Sequence, residues 1–156
     1  LITVHGRTTK QKFSGVANWD QIYLAKSILK IPVIGNGDIT SPQIAVTRLK
    51  SPDGKITLDG LMVGRATFGN PWLIKEIYSK LNRKRYLPPK NLSKKIPTIK
   101  KHLKLSIKNL GEKIGLMEMR KHLSAYIKDI PNASHLRQNL IQATNLEETF
   151  KILDKI

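Results

Sequence analysis

Residues 31–38 read Ile31-Pro32-Val33-Ile34-Gly35-Asn36-Gly37-Asp38, an uncharged aliphatic run that breaks into a polar, glycine-rich loop. Ser41-Pro42 follows, an N-cap with proline at the first helical position, and Ile44, Ala45, Val46 and Leu49 continue at helical spacing. The same order of strand, donor-rich turn and helix occurs on either side. Upstream, Ile2-Thr3-Val4-His5-Gly6-Arg7 leads through a loop to Asn18 and a helix near Trp19–Leu29, marked by Trp19, Ile22, Ala25, Ile28 and Leu29. Downstream, Leu61-Met62-Val63-Gly64-Arg65 leads to Gly69-Asn70-Pro71, which opens a helix through about Leu81. Apolar runs without alternation are typical of strands covered on both faces. Three such units in short alternation predict an α/β fold with a parallel sheet and right-handed crossovers. In folds of this kind the chemistry sits in the loops at the carboxyl ends of the strands.

Between the second helix and the third strand, Ser51-Pro52-Asp53-Gly54-Lys55 is a turn, and Ile56-Thr57-Leu58 has the composition of a short extra strand. From Asn82 to Asn91 the character changes. Arg83-Lys84-Arg85 is a solvated charge run and Pro88-Pro89 cannot occupy a helix interior, so a linker falls here. The remainder is patterned as helix throughout. Ile99, Leu103, Ile107 and Leu110 form one stripe stopped by Gly111, and Leu116, Met119, Leu123, Tyr126 and Ile130 form a second ended by Pro131. Leu136, Leu140 and Ala143 mark a third helix, and Asn145-Leu146-Glu147-Glu148 starts a fourth with the spacing of a capping box. The expected organisation is therefore residues 1–81 as βα units, 82–92 as linker and 93–156 as a small all-α domain. Three βα units leave two open sheet edges. A complete three-stranded domain is one reading, but so small a core is hard to stabilise. The other reading, favoured here, is that the stretch opens within a larger domain.

Lys and Arg number 28 against 11 Asp and Glu, a net charge of +17. The excess is even along the chain: 14 against 5 in residues 1–85 and 14 against 6 in residues 86–156. Two readings stay open on charge alone. One is a polyanionic partner such as nucleic acid, whose binding is driven by phosphate neutralisation; the other is a lysine- and isoleucine-rich compositional drift. Cysteine is absent, which excludes disulfides, thiolate metal sites and a cysteine nucleophile from these residues. The four histidines, His5, His102, His122 and His135, lack the paired spacing of a zinc site, so no metal is expected. No apolar run is long enough to span a bilayer, and the expected setting is the cytoplasm.

Gly35-Asn36-Gly37-Asp38 and Gly64-Arg65 both end strands. Glycine lets a backbone approach a phosphate closely, amides at a loop and helix start favour an anion, and a guanidinium grips phosphate bidentately. A single Gly-x-Gly is usually no more than a tight turn. Two adjacent strand-end loops with this content point to a phosphate ligand. For His5 the alternatives are a functional group or a satisfied strand-end histidine. Asp38 either meets a ligand or caps the next helix, and Arg7 either meets a phosphate or substrate or is a helix-capping partner in the following loop.

Val4-His5-Gly6-Arg7-Thr8, Pro32-Val33-Ile34-Gly35-Asn36-Gly37-Asp38-Ile39, Met62-Val63-Gly64-Arg65-Ala66 and Gly69-Asn70-Pro71-Trp72 reproduce, in order, the later strand-end motifs of the tRNA-dihydrouridine synthases. Gln11, Gly15, Ala17 and Trp19 also fit. Arg120-Lys121-His122, Tyr126, Pro131 and Arg137 resemble that family's helical tRNA-binding domain, especially in its bacterial B-type branch. One departure is the Ser51–Leu58 segment, longer than the usual short turn. The resemblance implies the last three βα units of an FMN-binding TIM barrel followed by the helical domain. It implies that His5, Asn36, Gly37, Asp38, Gly64 and Arg65 bind the flavin, and that Arg120, Lys121, His122, Tyr126 and Arg137 contact tRNA. It further implies NADPH-dependent reduction of a tRNA uridine through FMN. The family's acid is a cysteine, so no catalytic residue is expected within these 156 residues, and the stretch alone is expected to be inactive. Two other readings remain at this stage: another FMN-dependent barrel oxidoreductase acting on a small molecule, and a non-catalytic RNA-binding protein. Flavin absorbance separates the last from the first two, and co-purifying tRNA separates the first from the second.

Overall fold

The computed structural model describes residues 1–128 and 130–156. The chain divides into two compact units, one of Leu1–Thr67 with Pro71–Leu87 and one of Phe68–Asn70 with Pro88–Ile156. Its fold is mixed α/β, with one small parallel sheet and seven α-helices among the described residues.

In the first unit β1 (Ile2–His5), β2 (Val33–Asn36) and β3 (Gly60–Met62) form an all-parallel sheet in the order β1-β2-β3. Helix α1 (Trp19–Ile28) links β1 to β2, α2 (Pro42–Arg48) follows β2, and α3 (Leu73–Leu81) follows β3 after a single 3₁₀ turn at Arg65–Thr67. Two of these starts are fixed by local chemistry. Asn18 accepts from the Asp20 N–H at the head of α1, and Ser41 accepts from the Ile44 N–H, with Pro42 supplying a preset φ. The core packs Trp19, Ile22 and Tyr23 of α1 against Val33, Ala45, Leu58, Leu73 and Ile77. Gly35 makes this packing possible: a Cβ there would lie 2.7 Å from the Trp19 ring and 2.8 Å from Leu58.

Strands β1 and β2 run past their last apolar residues, Val4 and Ile34, to His5 and Asn36, while β3 stops at Met62, one residue short of Val63; Gly6, Gly37 and Gly64 follow. The expected extra strand at 56–58 is a single antiparallel bridge between Lys50 and Thr57. Helix α3 begins at Leu73, not at Gly69-Asn70-Pro71, since the 3₁₀ turn intervenes and Gly69 takes a left-handed φ of 70°.

In the second unit the regular structure is helical: α4 (Leu92–Leu110), α5 (Glu112–Tyr126), α6 (Ala133–Gln142) and α7 (Leu146–Leu153). Ile99, Leu103, Met119, Leu123, Leu140 and Leu153 are buried, as their helical spacing requires. Gly111, with φ 78°, ends α4 and caps α5 at once. Gly115 then allows the two helices to touch, since a Cβ there would meet the Ile107 backbone at 2.8 Å. Helix α5 ends at Tyr126, four residues before Ile130, so its stripe is shorter than the sequence pattern. At the head of α7, Asn145 Oδ1 accepts from the Glu148 N–H at 2.8 Å. The Glu148 carboxylate reaches back to the N–H of Thr144, not to that of Asn145, a capping box displaced by one residue.

Candidate functional site

The parallel register aligns the three strand ends. His5 pairs with Asn36 and Asn36 with Met62, so their side chains share one face of the sheet. The Asn36 amide ties them together: its Oδ1 lies 2.6 Å from His5 Nδ1, and its Nδ2 donates to the Met62 carbonyl at 2.7 Å. With Oδ1 as acceptor, His5 Nδ1 is the donor of this pair, and Nε2 is not engaged by it. Asn36 thus acts first as a clasp between strand ends, a role that its position in a Gly-x-Gly loop does not announce.

Beyond the strands, the loop is built to be tight. Gly37 has φ 145° and a Cβ there would lie 2.5 Å from that of Ala17, while Asp38 occupies the left-handed region at φ 50°. The Trp19 indole N–H donates to the Gly37 carbonyl. Asp38 accepts from the Ala17 N–H at 2.9 Å and from Arg7 Nη2 through both oxygens, at 2.8 and 2.7 Å. Burial alone would push its carboxyl up. The Ala17 N–H, the Arg7 guanidinium and the more distant Arg65 outweigh that and hold it below its ordinary value. Asp38 does not cap α2, because Ser41 does. Arg7, with its side chain 3% exposed, also donates to the Ser14 and Gly15 carbonyls. It braces the loop and caps no helix, since both carbonyls precede α1, whose N-cap is Asn18.

Arg65 stands apart from this network. Its guanidinium lies 4.2 Å from the centre of the Phe13 ring, comes no nearer than 3.8 Å to Asp38, and is 54% exposed. Gly64 has open space where a Cβ would sit. A cleft of about 500 Å³ opens here, and His5, Asn36, Gly37, Asp38, Gly64 and Arg65 all line it. Phe13, Thr40 and Met62 line it too and were not legible beforehand. Phe13 carried one signal, an aromatic residue stranded in an otherwise polar loop.

The second unit places the other expected residues differently. Tyr126 is 4% exposed, so no ring face is offered to a base, and its Oη lies 3.3 Å from His102 Nδ1. His122 stacks edge-on to His102 at 4.8 Å and to Phe68 at 5.0 Å. Arg120 is exposed. Lys121 is paired with Glu118 at 2.6 Å, and Arg137 is half-buried and donates to the Ile127 carbonyl at 3.3 Å. Five residues close in the sequence reading thus divide into an interior ring cluster and separate surface cations.

Burial lowers the basicity of His102. Burial, then the neighbouring His102 and Lys121, lowers that of His122, against a smaller opposing pull from Glu118. A folded value below the unfolded one means that the unfolded chain binds more protons. Their contribution to stability is therefore full above the unfolded value of about 6.5 and is lost as pH falls through the folded values. The urea midpoint is expected to drop between pH 7 and pH 5, and His102→Gln to flatten that drop. An equal slope in the variant would show that the pair is not the cause.

The family model described as dihydrouridine synthase (Dus) matches residues 1–156. The chain belongs to the dihydrouridine synthase family. A "Probable tRNA-dihydrouridine synthase" of Rickettsia typhi is 39% identical over 137 residues, 88% of this chain and 41% of that protein. "Probable tRNA-dihydrouridine synthase 1" of a Synechocystis strain is 37% identical over 157 residues, 99% of this chain and 42% of its own length. A Rickettsia bellii protein with the same name as that of R. typhi is 36% identical, covering 100% of this chain and 46% of the relative. The chain thus spans less than half the length of these curated relatives. Within the dihydrouridine synthase family the match runs through both compact units, strand ends and helices alike.

Proposed function

We propose that the protein is a cytoplasmic tRNA-dihydrouridine synthase that reduces uridine in tRNA, with FMN as its flavin and NADPH as reductant. One observation carries the reading most. In a chain of this family, a cleft at the aligned carboxyl ends of three parallel strands is lined by all six residues expected to hold a flavin. In this reading residues 1–81 supply the last βα units of a barrel, 82–92 a linker, and 93–156 a tRNA-binding helical domain. The stretch by itself would be inactive.

The residues suit the cofactor's chemistry. A volume of about 500 Å³ lies within the usual range of about 300–1,000 Å³ for small-molecule sites. Arg65 is half-exposed, its nearest carboxylate is Asp38 at 3.8 Å, which Arg7 already holds through both oxygens, and Gly64 leaves the space beside it clear, which fits a phosphate. Asp38, an ionised acceptor already neutralised by Arg7, suits ribityl hydroxyls and would repel a phosphate. When bound, FMN supplies hydride to the uracil ring. The chain's own part is positional: Asn36 fixes the orientation of the His5 ring through Nδ1, and Gly37 keeps the loop low against Ala17. Arg120, Lys121 and Arg137 would engage tRNA phosphates, with His122 and Tyr126 supporting them from inside the helical unit.

Two measurements test this. The intact gene product should purify with flavin absorbance and, with NADPH, form dihydrouridine in tRNA that lacks it; a colourless, inert protein would end the reading. Arg65→Ala should weaken FMN binding roughly 10- to 150-fold, the loss of a charge-assisted bond of about 1.5–3 kcal/mol. Riboflavin, which has no phosphate, should bind both forms alike. An unchanged FMN-to-riboflavin ratio would remove the phosphate assignment.

A further inference from the structure

Helix α3 and the chain leaving it carry Lys75, Lys80, Arg83, Lys84 and Arg85 against one acid, Glu76. All five cations are exposed, and none is ion-paired with a described residue. Elsewhere Lys26, Lys100, Lys121 and Lys151 each lie against a carboxylate. The run is also held in place. The Lys84 N–H donates to the Ser79 carbonyl, Asn82 Nδ2 donates to the Tyr78 carbonyl, and Arg83 takes a left-handed φ of 53° that turns the chain back on the helix end.

Two aromatic rings stand among these charges. Tyr78 is 58% exposed, with Lys84 Nζ 6.0 Å from its centre, and Lys75 Nζ lies 4.7 Å from the centre of Tyr86. Lys80, Lys84 and Tyr86 border a recess of about 180 Å³ whose other wall includes Pro42 and Gln43. Thr40, which lines the flavin-site cleft, is two residues from Pro42, at most about 7 Å of chain. The patch therefore borders a recess whose wall is two residues from the lining of the cleft. Attraction to the negative end of α3 accounts for Lys80 but not for cations beyond the last turn, nor for an exposed tyrosine between them.

We propose that this surface docks the sugar–phosphate backbone of the RNA whose base enters the cleft, an inference that rests on tRNA being the substrate. Unpaired, solvated cations retain their full capacity to neutralise phosphates, and releasing the counterions of the RNA is the main source of affinity. Such contacts set the position of the RNA without reading its sequence, and Tyr78 offers a face to an unstacked base.

The test is Lys80→Gln/Arg83→Gln/Lys84→Gln/Arg85→Gln in the intact gene product, with binding to unmodified tRNA measured from 50 to 300 mM salt. Affinity should fall at least tenfold near physiological salt, and the salt slope should shrink by about one unit per lost phosphate contact. Flavin reduction by NADPH should not change. Acetylation footprinting of the parent protein provides a second readout that does not depend on the variant folding: bound tRNA should protect Lys80 and Lys84. A parent that binds tRNA while the variant keeps its affinity and slope, or while both lysines remain unprotected, overturns this surface and leaves the reading of the enzyme intact. A parent that binds anionic vesicles but no tRNA overturns both.

Discussion

Arg7→Ala is expected to lower the unfolding free energy of the intact protein by about 3 kcal/mol, toward the low end of the range for breaking a buried ion pair. The guanidinium is almost wholly buried and makes four hydrogen bonds, two to Asp38 and one each to the Ser14 and Gly15 carbonyls. Its removal strands a carboxylate and two carbonyls, but Asp38 is one-third exposed and keeps the Ala17 N–H, which limits the loss. Two features mark the mechanism. In the parent, the carboxyl of Asp38 lies below its unfolded value of about 3.9, so its stabilisation is present above that pH and is lost on acidification. The deficit of the variant should therefore hold between pH 7 and pH 4 and narrow only as the pH falls below about 3.9. In an Asp38→Asn background, Arg7→Ala should cost markedly less, since the pair is already broken. Equal costs in the two backgrounds, measured by urea unfolding, would show that Arg7 acts through packing alone.

Gly69→Ala should also destabilise by about 3 kcal/mol, combining a left-handed φ penalty of roughly 1 kcal/mol with overpacking of about 1–3 kcal/mol. The added Cβ would lie 2.2 Å from the Ala125 carbonyl oxygen and 2.8 Å from the Tyr126 nitrogen, both backbone atoms near the end of α5, which no side-chain rotation relieves. Gly64→Ala is the matched control. It has no positive φ and meets nothing within 4 Å, so its unfolding free energy should stay within about 0.5 kcal/mol of the parent. Similar unfolding midpoints for the two variants would mean that the chain around Gly69 gives way more easily than its contacts imply.

Sequence alone determined the elements and the location of the candidate site. Apolar runs ending in glycine turns predict parallel strands, and the three form, but only β2 has buried residues, while Ile2 of β1 and Met62 of β3 are exposed; the stripe of Ile99 and Leu103 predicts a helix face. Asn18, Ser41 and Asn145 cap their helices as their side chains dictate, because capping depends on neighbours within four residues. The six cleft residues end their strands or lie just beyond them, and a parallel register brings consecutive strand ends together, while the expectation that they hold a flavin comes from the family resemblance. What only the tertiary structure decided is how side chains distant in sequence divide the work. Asp38 and Arg7, 31 residues apart, are bound through both carboxylate oxygens, which leaves Arg65 at 3.8 Å from Asp38 and half-exposed toward an anion. Tyr126 and His122 sit on a pattern that suits either a surface or a core, and the approach of His102 and Phe68 settles them inside. Periodicity fixes which face of a helix is apolar, but not which charges find partners. Pairing is a long-range property, set by which elements meet, and it separates the compensated Lys121 from the uncompensated Lys80 and Lys84.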